Sequence, residues 1–186
     1  MRKIVFLLPL FIFFFVSNSL YAQTITIPAT ESAQVASMSA NVQYDLPYPG
    51  ILPDHPLYFL KVARDRIVGF LINDTIKKSE FNLLQTDKKI FAATMLFEKD
   101  KNELALDTLS KSNNYMHTAV AEMKKAKQAG KEISELNSRI TTSITKHKEI
   151  MDNLIQNKTE PLSSLQGERA RLDEIEEFHF QKVEKK

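Results

Sequence analysis

The side chains able to do chemistry are few and widely spaced. The chain has four histidines, His55, His117, His147 and His179, and no two lie three or four residues apart. No helix face can therefore present a histidine pair to a metal ion. Glu176 and His179 form a single Glu-x-x-His, a spacing that di-iron bundles use twice, on two helices. Occurring once and near a helix end, it is half of such a site. Glu176 and His179, with His147 as a possible third member, are the nearest approach to a ligand set, and no metal site is expected.

Nucleophiles are no better placed. The absence of cysteine removes thiol catalysis and thiolate ligands. Ser79 and Ser110 lie in helical patterns with no histidine one turn away, and no G-x-S-x-G occurs. Glu176 and Glu177 are adjacent, so they project in different directions and cannot flank one substrate. Four glycines in the whole chain leave no phosphate-cradling loop. The pattern predicts no catalytic residue, no cofactor and a non-enzymatic protein.

The elements that would position these residues begin with a leader. Arg2 and Lys3 precede an apolar run, Ile4 to Val16, and a short polar stretch ends at Ala22. This is the layout of a secretory signal peptide over residues 1–22. The run is shorter than the roughly 20 residues needed to cross a bilayer, and membrane contact is expected only if it is retained as an anchor. The chain carries 25 basic and 23 acidic residues. Both charges of the leader are basic, so the remainder is balanced. A neutral, mixed surface does not concentrate phosphate backbones, which disfavours nucleic acid. Without disulfides, stability must come from packing.

Residues 23–43 are rich in Thr, Ser and Ala without helical period and read as a flexible leader. Residues 44–186 read as a single all-α domain. Its first stretch, "YDLPYPGILPDHP", cannot be helical, because Pro47, Pro49, Gly50, Pro53 and Pro56 break the pattern. Pro56 then suits the first helical position, with Asp54 or His55 as cap. Leu57, Tyr58, Phe59 and Leu60 are expected to bury themselves in the first turn, making the segment a clip over the bundle, with a partner-docking surface the lesser reading. Leu60, Ala63, Ile67 and Leu71 predict the buried stripe of this helix.

Four more helices follow. Asp74 can cap a second, about 75–98, with Phe81, Leu84, Phe91 and Met95 as its stripe and Ala92 and Leu96 beside it. "DKNE" at Asp100 to Glu103 predicts a capping box for a third, ending at Gly130 in a left-handed cap. Leu109, Met116, Ala119 and Met123 form its face. The lysines from Lys124 to Lys131 complement its dipole, with attraction to a membrane surface the lesser reading. Ile133, Leu136, Ile140, Ile144, Met151 and Leu154 predict a fourth helix over about 131–157 with a near-heptad seam. Ser163 and Gln166 open a fifth, about 163–183, striped by Leu165, Leu172, Ile175 and Phe178. No alternating strand pattern appears beyond residue 50. The expectation is all-α: an elongated antiparallel bundle or helical-hairpin array of about five helices, with a thin core because Ser, Asn and Lys interrupt the stripes.

"LPYPGILPDHPLYFLKVARDRI", followed by "KKSEFNLLQTDKKI", resembles an exported bacterial family known as domain of unknown function 5667. The residues carrying the likeness are chiefly Pro49, Gly50, Pro53, Asp54, Pro56, Leu57, Tyr58 and Leu60. A turn glycine that the resemblance leads one to expect near Asp100 is absent. The resemblance implies export and helical architecture, and it brings no activity, substrate or catalytic residues. The functional expectation is an exported, non-enzymatic cell-envelope or secreted module that binds a protein partner or a second copy. The alternative is a periplasmic or extracellular binder of a small ligand or metal.

Overall fold

The structure, a computed structural model, describes residues 44–157, 159 and 161–181. The expected signal peptide and flexible leader lie outside these residues. Five helices occupy most of the rest: α1 (Tyr58–Leu71), α2 (Thr75–Phe97), α3 (Asn102–Gln128), α4 (Ser134–Gln156) and α5 (Leu162–Phe180). Among the described residues there is no strand. The all-α expectation holds.

Helices α2 to α5 run up, down, up and down around one core. Pairings across the helices set this topology. Asp152 meets Arg169 while Thr141 meets His179, so α4 and α5 are antiparallel. Asn113 meets Glu168 while Lys124 reaches the Phe178 carbonyl, so α3 and α5 are parallel. The core is built from Leu83, Ile90, Leu109, Met116, Ile140 and Met151, joined by Leu165 and Leu172 from α5. Burying each such side chain contributes roughly 1.5–3 kcal/mol.

The tightest packing joins α2 to α3. Ser79, Thr86 and Ala93 recur every seven residues on α2 and face Ala119, Ser112 and Ala105, also seven apart, on α3. All six are buried. Ser79 Oγ donates to the Ala119 carbonyl at 2.7 Å. Thr86 Oγ1 donates to the Ser112 carbonyl and Ser112 Oγ to the Thr86 carbonyl, each at 2.8 Å. A helix carbonyl has a second lone pair free after its own backbone bond, so these hydroxyls are satisfied without leaving the interface. Short side chains let one backbone come within reach of the other. The interruptions that predicted a thin core are thus the contact surface itself.

The stripe expected on α2 is correspondingly misplaced. Leu84 is exposed, and Phe81, Phe91 and Met95 are half-buried; of the residues expected on this face only Ala92 and Leu96 are buried, and Leu83 and Ile90, not expected there, join Leu96 at the centre. The faces expected on α3, α4 and α5 are the buried ones.

Helix ends show a second set of differences. Asp74 caps α2 as expected, its Oδ1 accepting from the Lys77 N–H at 3.0 Å and its Oδ2 pairing with Lys131. The "DKNE" box does not form, because Asp100 is used to stop α2. It takes a left-handed φ of 58°, while Lys101 N–H bonds the Leu96 carbonyl at 2.9 Å. The end of α3 repeats this motif with Gly130 at φ 76°, and Lys131 N–H bonds the Ala126 carbonyl. One motif therefore carries glycine where it is free of strain and the other carries aspartate. Helix α5 starts at Leu162 after Pro161, with no side-chain cap, so Ser163 and Gln166 lie within its first turn. Helix α4 starts at Ser134, where Glu132 accepts the Ser134 N–H.

Two substitutions test this picture by thermal melting. Ala119→Leu should wedge α2 from α3 and cost about 1–3 kcal/mol; an unchanged midpoint would refute the close contact. Asp100→Gly should relieve roughly 1 kcal/mol of left-handed strain and raise the midpoint by about 2–4 °C. A midpoint that stays put or drops would show that Asp100 is unstrained.

Candidate functional site

The histidines and carboxylates singled out above do not converge. Glu176 pairs with Lys148, which also holds Asp173. His179 is buried, with Nε2 3.0 Å from Thr141 Oγ1. Burial pushes its pKa below the usual imidazole value, and Lys124 adds to this. No group of three or more metal-ligating side chains occurs among the described residues.

His147 proves to be part of a buried polar cluster centred on Asp87. Its Nε2 lies 2.9 Å from Asp87 Oδ1, and Ser143 Oγ donates to the same oxygen at 2.6 Å. Tyr44 donates its hydroxyl to Asp87 Oδ2 at 2.6 Å. Burial, followed by the Asp87 carboxylate, pushes the Tyr44 phenol well above its ordinary pKa. Ser143 bonds the carboxylate and not the imidazole, so the trio is no serine relay. It ties the start of the domain to α2 and α4. Sequence reasoning missed Asp87, Tyr44 and Ser143, although Ser143 and His147 stand one helical turn apart on α4.

From Tyr44 the chain climbs along α2. Tyr48 stacks edge-on against Phe91, with ring centroids 6.3 Å apart. Pro49 and Leu52 are buried, and Gly50 turns with φ 71°. Asp54 pairs with Lys99 and Lys101 at 3.1 and 2.9 Å, and the two lysines hold its carboxyl below its usual pKa. It is therefore a clamp on the α2–α3 turn. Neither Asp54 nor His55 caps α1, whose N-cap is Leu57 without a side-chain bond; His55 Nδ1 instead accepts the Leu57 N–H at 3.1 Å in the turn before it. Pro56 sits in the turn ahead of Tyr58, where the helix begins, and not at its first position.

The apolar residues after Pro56 do not make the expected clip. Leu57, Phe59 and Leu60 are exposed, and only Tyr58 turns inward. The same inversion runs the length of α1, which has no buried residue. Its half-buried side is Tyr58, Lys61, Val62, Asp65 and Gly69. A Cβ on Gly69 would lie 3.1 Å from the Phe81 ring, so glycine is what lets α1 settle there. At 3.6 residues per turn, Phe59, Phe70, Ala63, Ile67, Leu60 and Leu71 share an outward arc of about 120°. Phe70 is 84% exposed, Leu71 68% and Phe59 63%. The stripe itself was legible; the side it faces was not.

Hollows flank this ridge on both sides. One, of about 470 Å³, is lined by Tyr48, Ile51, Leu60, Lys61, Arg64 and Lys88. The other, of about 310 Å³, is lined by Tyr58, Asp65, Arg66, Lys89, Lys111 and Tyr115, among others. Lys61 spends its ammonium on the Pro49 and Ile51 carbonyls. Lys89 bonds Tyr58 Oη at 3.3 Å and lies 5.3 Å from the Tyr115 ring centroid. Burial lowers the pKa of both lysines. Arg64 pairs with Asp65, and Lys111 with Asp107.

The family model for the domain of unknown function DUF5667 matches residues 50–160, more than half of the chain. The chain belongs to the DUF5667 family. The match begins at the Gly50 turn and extends through α4. No curated protein and no solved structure matches the chain.

Tyr44→Phe removes one charge-assisted donor from buried Asp87. It should cost about 1.5–3 kcal/mol and speed proteolytic cleavage just after residue 44. Unchanged melting and cleavage would show that the Asp87 cluster does not hold the segment.

Proposed function

We propose that this DUF5667 chain is an exported, non-enzymatic interaction module of the cell envelope or the secreted space, and that the outward face of α1 is the surface it presents. The basic, apolar and small-residue order of residues 1–22 supports export. The observation carrying the interaction reading is that α1 turns its apolar arc to solvent and its mixed face to the bundle. A contiguous apolar patch of this kind costs solubility and marks a contact surface. The alternative, a small-ligand or metal binder built on Glu176 and His179, gains nothing from side chains already engaged by Lys148 and Thr141.

In-cell photocrosslinking from position 67, with exposed Thr145 on α4 as the control site, tests the reading. An adduct is expected from 67 and not from 145. Phe70→Ser with Leu71→Ser should abolish it while moving stability by no more than about 0.5 kcal/mol per site, as for other exposed positions. Equal adducts from both sites, or none from 67, would sink the proposal.

A further inference from the structure

The partner of this face can be named by its chemistry, on the reading that α1 is the contact surface. The apolar arc is a convex ridge, and α1 has 14 residues, a length of about 21 Å at 1.5 Å per residue. No described helix is long and apolar enough to cross a membrane, so α1 can only lie on one. The outward arc carries no carboxylate, and its apolar members are edged by Arg66 on one side and Arg64 on the other.

The charges beneath the edges decide between occupants. In the hollow beside Leu60, Lys61 and Lys88 have no carboxylate partner among the described residues; in the hollow beside Tyr58, the same is true of Arg66 and Lys89. Arg64 and Lys111 are neutralised by Asp65 and Asp107. Each flank of the apolar ridge thus carries more basic than acidic side chains, Asp65 being the one carboxylate among the lining residues. A second copy would set these basic flanks against its own, with only Asp65, already paired with Arg64, among the lining residues to offset them. A surface that offers hydrocarbon along a line and anionic phosphate on both sides matches all three features at once.

We infer that α1 docks on an anionic phospholipid surface, its Phe59–Leu71 ridge at the acyl boundary and lipid phosphates in the two cationic hollows. The helix lies in the plane of the interface, with the four-helix bundle above it. Membrane contact on this reading comes from α1, not from the lysines between Lys124 and Lys131, where Lys125 pairs with Glu122 and Lys131 with Asp74.

The chain contains no tryptophan, so Phe70→Trp gives a single reporter at a position too exposed to disturb folding. Its emission should move to the blue with phosphatidylglycerol vesicles and stay put with phosphatidylcholine vesicles or inorganic phosphate. Phe180→Trp, exposed on α5, should stay put with all three, which separates docking through α1 from adsorption through residues 4–16. Adding Lys88→Gln and Arg66→Gln should weaken binding about twenty-fivefold, from roughly fivefold per cation lost.

A response equal with both vesicle types, one reproduced by phosphate alone, one shared by Phe180→Trp, or no vesicle response would each overturn the inference. So would a shift that grows with protein concentration without vesicles, which would hand the ridge to a second copy. If vesicles do nothing while position 67 still forms an adduct, the lipid falls and the interaction surface stands. If both fail, the surface itself is refused.

Discussion

The close contact of α2 with α3 is the constraint on which the other helices depend. Two backbones can exchange hydroxyl-to-carbonyl bonds only where every intervening side chain is small, and the Ser79–Thr86–Ala93 and Ala105–Ser112–Ala119 rows meet that condition. Once this pair is fixed, the larger residues beside the rows, Leu83 and Ile90 with Leu109 and Met116, point together into the groove that α4 and α5 fill. Each hydroxyl bond is worth only about 1 kcal/mol net. Their larger effect is on register: a slip of one residue would leave buried hydroxyls unpaired and put leucines where only alanine fits.

Two further buried polar groups, Asp87 and Asn113, serve the docking of the later helices. Asp87 receives Ser143 and His147 from α4, and Asn113 donates to Glu168 of α5 at both its carbonyl and its carboxylate. These bonds are directional where the surrounding leucines and methionines are not, so they choose among several apolar packings of similar energy. At the surface, Arg169 spans Asp152 and Asp173, and Lys148 spans Asp173 and Glu176. Half-exposed pairs of this sort add little each, but they all fall on the α4–α5 seam.

How much of this could be read from the amino acids differs by element. The five helices and the left-handed stop at Gly130 follow from period and cap residues, and the structure has them nearly where expected. The faces of α3, α4 and α5 were legible because large apolar residues dominate them. The face of α2 was not, because hydrophobicity alone ranks Phe81 and Phe91 above Ser79 and Thr86, whereas proximity to another backbone rewards the reverse. For α1 the stripe is plain, but periodicity says only that a face is apolar, not that the chain supplies something to cover it. Of the candidate site, the segment around Pro49 to Leu60 was recognisable, yet its work is divided otherwise. Pro49, Leu52 and Tyr58 go inward and Leu57, Phe59 and Leu60 outward. The lysines that make the hollows come from α2, α1 and α3 together, and no spacing along one chain could have announced them.

The Tyr44–Asp87 bond has a mechanical meaning. Tension arriving from residues before 44 meets a half-buried, charge-assisted bond to the middle of α2 before it can reach α1. Force along the chain is therefore borne by the bundle and bypasses the ridge between Phe59 and Leu71. A domain rooted in this way can be pulled from its N-terminal side without peeling α1 away.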